Sequence, residues 1–276
     1  MRIVLLSTAA IALSGCSWLG LGGYNGNSYG QYAGHSAGHH GTYQTQQQAK
    51  PCGNCNSLAR WNVEGGVGAD FLAGGDFIKA GQSIGGGTTL NEINNTSAFE
   101  VGERADLGVS YALNPNRKVL LNGYVSQYDG ERQEIGTRGT DLLKGDLDDY
   151  EAYGLEVGLR QYFLPKAVPV LKSVRPYVEG RLGAARIDDI GLTNVQSTTV
   201  NGVSTDLADI DLYDSGWTPT GAGLIGVETP LFDRMTLGLE TGVRYNGDLD
   251  SAGSFIQGDS GNKWSVPVSL RGRYRF

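Results

Sequence analysis

Residues 264–276 read W-S-V-P-V-S-L-R-G-R-Y-R-F, and this stretch decides the fold. Trp264, Val266, Val268, Leu270, Tyr274 and Phe276 occupy every second position, with Gly272 the one gap. Ser265, Pro267, Ser269, Arg271, Arg273 and Arg275 alternate with them. Successive side chains of a β-strand point to opposite faces, so this pattern predicts one long strand with an oily face and a polar face.

The same alternation recurs seven times upstream. Residues 61–71 set Trp61, Val63, Val67, Ala69 and Phe71 against Glu64, Gly66, Gly68 and Asp70. Residues 99–113 set Phe99, Val101, Leu107, Val109 and Tyr111 against Glu100, Arg104, Asp106 and Ser110. Further strands are predicted over 118–128 (the least regular), 150–163, 174–187, 217–228 and 235–246. The connections 72–98, 129–149, 188–214 and 247–263 are long, and 114–117, 164–173 and 229–234 are short. Long and short links in alternation, with an even strand number, predict an all-β chain folded as an eight-stranded antiparallel up-and-down barrel that spans a membrane, with both termini at the short-turn end. Aromatic residues of the oily face gather near the strand ends, as in the girdles of a membrane barrel. Trp61, Tyr111, Phe163, Tyr274 and Phe276 fall at the short-turn end. Phe71, Phe99, Tyr153, Trp217, Tyr245 and Trp264 fall at the other.

A soluble barrel enclosing its oily face would give the same alternation. The glycines decide between them: Gly66, Gly68, Gly102, Gly108, Gly154, Gly158, Gly183, Gly238 and Gly242 lie on the polar face among the charges. Glycine weakens a solvated strand but makes room for long side chains in a narrow lumen. The polar face is therefore assigned to the interior. Its acids are Glu64, Asp70, Glu100, Asp106, Glu156, Glu179, Glu228 and Glu240; its bases are Arg104, Arg160, Arg181, Arg244, Arg271, Arg273 and Arg275. Buried charges persist when paired, so a closed ion-pair network is expected in place of an open pore. Pro219 and Pro267 each remove a ladder donor, which predicts a bulge or strand end beside them.

The strand count, the loop alternation, the charged lumen and the terminal aromatic resemble the small eight-stranded outer-membrane barrels typified by the OmpA membrane domain. The resemblance covers residues 61–276. It implies an outer-membrane bilayer and lipopolysaccharide as surroundings, long loops outside the cell, and an assembly machinery that reads Tyr274 and Phe276.

The chain opens with Met1, Arg2 and an apolar run over 3–13, too short for a spanning helix and suited to a secretory signal peptide. Leu13-Ser14-Gly15-Cys16 resembles the lipobox of bacterial lipoproteins. That likeness implies cleavage after residue 15, acylation of Cys16, and handling by lipoprotein-sorting machinery. Residues 16–60 are rich in Gly, Tyr, Asn, Ser, His and Gln and read as a largely disordered tether. Cys52 and Cys55 form a Cys-x-x-Cys that suits a structural disulfide, with metal binding, redox activity and free thiols as alternatives. His35, His39 and His40 are the only histidines and read as polar tail residues or, with the cysteines, as zinc or copper ligands.

A net charge of −7 disfavours a nucleic-acid partner. The barrel region holds no histidine, which disfavours His-dependent hydrolysis, so no catalytic residue and no cofactor is expected. The long connections are acidic: residues 188–214 carry Asp188, Asp189, Asp206, Asp209, Asp211 and Asp214 and no base. They read as solvated loops, or as carboxylates bridged to lipopolysaccharide by a divalent cation. The expected role is structural or adhesive, by a monomer; a narrow solute channel and a soluble lipocalin-like ligand binder are the alternatives.

Overall fold

A computed structural model describes residues 60–79, 82–84, 87–163, 174–252 and 260–276. The signal peptide, Cys16, Cys52, Cys55 and the three histidines lie outside the described residues.

The chain enters β1 (Trp61–Gly74), and the first long connection then forms β2 (Asp76–Ile78), β3 (Ser83–Ile84), β4 (Thr88–Leu90), β5 (Ile93–Asn94) and one helical turn, α1 (Asn95–Ala98). β6 (Gly102–Asn114) and β7 (Arg117–Tyr128) make a tight hairpin, followed by β8 (Arg132–Arg138) and β9 (Asp141–Leu147). β10 (Tyr150–Tyr162) and β11 (Arg175–Ile187) lead to β12 (Ile190–Thr198), β13 (Ser204–Asp206) and β14 (Ile210–Tyr213). β15 (Gly216–Phe232), β16 (Met235–Asn246) and β17 (Lys263–Arg275) complete the chain.

Eight of these strands close a barrel in the order β1-β17-β16-β15-β11-β10-β7-β6, every neighbouring pair antiparallel. Closure joins the first and last strands, from Asn62↔Arg275 to Leu72↔Ser265. The barrel is inverted relative to a soluble protein. Leu182 and Trp217 on the outside are 71% and 64% exposed, whereas Arg160 inside is 0% exposed. An apolar belt outside and a charged interior is the arrangement a bilayer selects. The reading in which the oily face encloses a ligand is thereby overturned.

The prolines are accommodated in different ways. Pro219 stands one residue beyond the last β15–β16 pair, Thr220↔Asn246, with Gly247 N–H donating to its carbonyl at 2.9 Å. Pro267 produces no bulge: the β16–β17 pairing lapses between Thr241↔Val268 and Arg244↔Ser265 and resumes in the same register.

The long connections are not simple loops. They build a second sheet in the order β13-β12-β9-β8-β4-β3, with β14 on β12, and a separate β2–β5 pair. Phe77, Ile78, Leu90, Ile93, Ile135, Leu143, Leu147, Ile190, Leu192, Val195, Leu212 and Leu249 are buried there in one apolar cluster. Tyr128, Tyr150, Ala152 and Ile187, from the ends of barrel strands, join it. The long-loop end therefore carries a folded cap with a core of its own.

The cap also corrects two sequence assignments. β6 begins at Gly102, not at residue 99. Phe99 leaves the outer belt and lies buried in the cap, ring-to-ring with Phe77 at 5.1 Å and Tyr150 at 5.8 Å. Glu100 is exposed, outside the lumen, with its N–H donating to the Asp129 carbonyl at 2.9 Å. The alternation runs on through 99–101 in sequence, but Phe99 bridges Gly130 of the cap instead.

Candidate functional site

The polar face of each strand delivers its charges to one column inside the barrel. Seven acids (Glu64, Asp70, Asp106, Glu156, Glu179, Glu228 and Glu240) and seven bases (Arg104, Arg160, Arg181, Arg244, Lys263, Arg271 and Arg273) are buried there, so the set is neutral when all are ionised. Charges withdrawn from water cost several kcal/mol each unless paired and hydrogen-bonded, and the geometry supplies both.

Glu64 is the hub. Arg160 grips it with two bonds of 2.9 Å, Arg273 Nε donates at 3.0 Å and Ser110 Oγ at 2.6 Å. Arg271 Nη1 stands 3.8 Å away. Arg160 also donates through Nε to Glu179, which accepts from Arg181 as well. Arg181 continues to Glu240 at 3.0 Å, and Arg271 bridges Asp106 at 2.7 Å and Glu240 at 3.3 Å. Nearer the cap, Arg244 holds Glu156 through two bonds, with Arg104 and Arg181 each 3.8 Å from the same carboxylate. Toward the short turns, Arg273 pairs with Glu228, which accepts from Tyr162 Oη at 3.2 Å. Tyr177 Oη donates to Glu240 at 2.9 Å and accepts from Arg273 at 3.0 Å.

Small residues make the column possible. A Cβ at Gly154 would stand 2.7 Å from the Tyr124 ring, whose other neighbours include the guanidinium of Arg104, 3.7 Å from its centroid. A Cβ at Gly66 would stand 2.9 Å from Asp106 Oδ2. These glycines let inward side chains cross a barrel barely wide enough for them.

At the boundary with the cap the chemistry changes. Lys263 Nζ is buried 3.8 Å from the Tyr128 ring centroid and 3.3 Å from that of Tyr150. It has no hydrogen-bond partner among the described residues, so the ring faces are its principal contacts. Tyr128 Oη donates to Asp70 at 2.8 Å. Lys263, Tyr128 and Tyr150 were absent from the residues singled out in the sequence. Lys263 shares the parity of Ser265 and Arg271, and starting the last strand one residue later leaves it out.

In the cap, Asp148 accepts the Gly191 N–H at 3.1 Å. Partial burial pushes its carboxyl upward, Asp149, Asp209 and Asp189 push the same way, and the Gly191 bond opposes them. Among the described residues no three His, Cys, Asp or Glu groups converge to hold a metal ion.

At the short-turn end, Arg275 is exposed at the rim rather than in the network, with Nη2 donating to the Asp233 carbonyl at 3.4 Å. Tyr274 and Phe276 face outward with their rings 5.5 Å apart, and Phe276 N–H donates to the Trp61 carbonyl at 3.3 Å. Beneath the network the lumen opens into a cleft of about 430 Å³.

No family model matches the sequence, and neither does any curated protein. Solved structures do match. OprG of Pseudomonas aeruginosa is 15% identical with a TM-score of 0.44, covering 78% of this chain and 95% of that one. Neisserial surface protein A is 12% identical with a TM-score of 0.41, covering 78% and 96%. Outer Membrane Protein W of E. coli is 17% identical with a TM-score of 0.33, covering 80% and 100%. With its closed ring of eight antiparallel strands, apolar belt and charged lumen, this chain has the fold of the small outer-membrane β-barrels.

Proposed function

We propose that this protein is an outer-membrane barrel lipoprotein that presents its cap to the outside of the cell, in an envelope-stabilising or adhesive role, rather than a pore or an enzyme. The observation that carries this reading is the lumen: its cross-section is filled by Arg160, Arg181, Arg244 and Arg271, each paired with carboxylates and almost wholly buried. A barrel filled in this way serves as an anchor for what it displays, and here it displays a folded cap with an acidic surface. The lipobox-like residues 13–16 support acylation at Cys16, which would place the lipid on the same side as the short turns and both termini. The surroundings are then the bilayer and lipopolysaccharide, reached through the barrel-assembly and lipoprotein-sorting machineries.

The test has two parts. Planar bilayers reconstituted with the purified barrel should show no stepwise conductance; steady unitary currents from the wild type would replace this reading with the narrow channel. Labelling cells with radioactive palmitate should mark the wild type and not the Cys16→Ser variant. Equal labelling of both would remove the lipoprotein assignment and leave the barrel reading standing.

A further inference from the structure

The two ends of the molecule are oppositely charged. Each long connection is net acidic; the described part of the last one before β17 adds Asp248 and Asp250 with no base. Outside the Arg273–Glu228 pair, the short-turn end carries Arg60, Arg117, Lys118, Arg175, Arg234 and Arg275 against Asp233. The cleft of about 430 Å³ lies at this basic end, and four of its lining residues are Lys118, Arg175, Arg234 and Arg275.

These cations are not consumed by the ion-pair network. Arg273 forms the floor and is fully engaged by Glu64, Glu228 and Tyr177. Lys118 faces inward from β7, half-buried, opposite Arg160 on β10. Among the described residues its Nζ lies 5.4 Å from the Tyr162 ring centroid and makes no ion pair within 4 Å. Arg234 is exposed at the tip of the β15–β16 turn with no side-chain partner among the described residues. Arg175 leans on the Tyr162 ring and donates to the Pro115 carbonyl at 2.9 Å, with Glu228 only at 4.0 Å. Several cations converging on a concave site, with one wall half-desolvated, raise the local concentration of anions.

The chain's own leading segment does not supply that anion: residues 17–59 contain no Asp or Glu. We propose that the cleft is a binding site for a phosphate-bearing molecule. A phosphate group offers several anionic oxygens and accepts from guanidinium forks and an ammonium together, which a single carboxylate does less well. Ala112, Pro115 and Pro230, from facing sides of the cleft, would contact an apolar portion of the ligand. The phosphate is either on a free solute or on a lipid headgroup of the adjacent leaflet.

The experiment uses the full chain purified in zwitterionic detergent and titrated calorimetrically with inorganic pyrophosphate at fixed ionic strength. One-site saturation is expected in the wild type. Lys118→Gln combined with Arg234→Gln should weaken it about tenfold or more, the scale of losing charge-assisted hydrogen bonds. Lys144→Gln, exposed in the cap, should bind as the wild type does. Unboiled gel mobility verifies that each variant is folded; should the double variant unfold, Arg234→Gln with Arg275→Gln takes its place, since both side chains are exposed at the rim. Absence of saturable binding to the wild type, or undiminished binding in the cleft variant, overturns the proposal. Repeating the titration in nanodiscs separates the sources. Competition by phosphatidylglycerol but not phosphatidylcholine assigns the headgroup, and equal binding in both assigns a soluble phosphate.

Discussion

The lumen and the cap are two buried interiors made by one chain, and they are opposites. In the lumen the largest buried side chains are Arg160, Arg244 and Arg271, whereas the cap buries Ile78, Leu90, Ile135 and Ile190. The difference follows from what lies outside each. Around the barrel wall the exterior is lipid, so apolar side chains gain nothing by turning inward and charges are confined to the lumen. Around the cap the exterior is water, and the ordinary hydrophobic driving force packs aliphatic residues together. Tyr128 and Tyr150 stand where one regime gives way to the other, each offering a ring face to Lys263 and belonging to the apolar cluster.

The sharpest way to break this contrast is to put a cap residue in the lumen. Glu64→Leu would strand Arg160 and Arg273 without their shared carboxylate and should cost about 3–5 kcal/mol, as buried pairs do when one partner is removed; urea unfolding of the barrel in lipid vesicles measures it. The complementary change, Ile135→Ala in the cap, should cost about 2–4 kcal/mol through the cavity it leaves. Its effect should be confined to the cap, read as faster proteolysis of the long connections with unboiled gel mobility unchanged; a lost mobility shift would mean that the two interiors melt as one. On the barrel exterior, Leu155→Arg sits near the middle of β10 and should cost about 2–4 kcal/mol in a bilayer but little in detergent. At the junction, Tyr128→Phe removes the donor to Asp70 and should cost about 1–3 kcal/mol, detectable as a lower unfolding midpoint.

The smallest effect concerns pH. Burial and the neighbouring Asp149, Asp209 and Asp189 hold the Asp148 carboxyl above its ordinary range. The folded cap therefore binds this proton more tightly than the unfolded chain does. Its contribution to cap stability is present at low pH and is lost as pH rises through the carboxylate range. Asp148→Asn should flatten that dependence while keeping an acceptor for Gly191, as an NMR titration of the cap amides would report.

The barrel was legible because a strand paired on both sides within a membrane repeats its period over many residues; the predicted limits of 235–246 coincide with β16. Interior and exterior were separable because the glycines interleaved with the charges make room for long side chains on the crowded face. The cap was not legible, since its strands run from two to nine residues, broken by glycines and aspartates, and no period survives at that length. Glu100 fails at a strand end, where parity continues in the sequence after the ladder that gives it meaning has stopped, whereas Arg275 is still paired with Asn62 but stands at the open rim. Lys263 failed in the other direction, because its strand begins one residue before the run of apolar alternation.

The seam between β1 and β17 has a consequence in time. The Glu64–Arg273 bond joins residues 209 positions apart, so almost the whole chain must exist before its first strand can be matched on both sides. Until then β1 presents an open edge and an unbalanced carboxylate, the combination that invites pairing with the wrong strand. Closure therefore waits on the last strand, and the first edge stays open until Arg271 and Arg273 arrive.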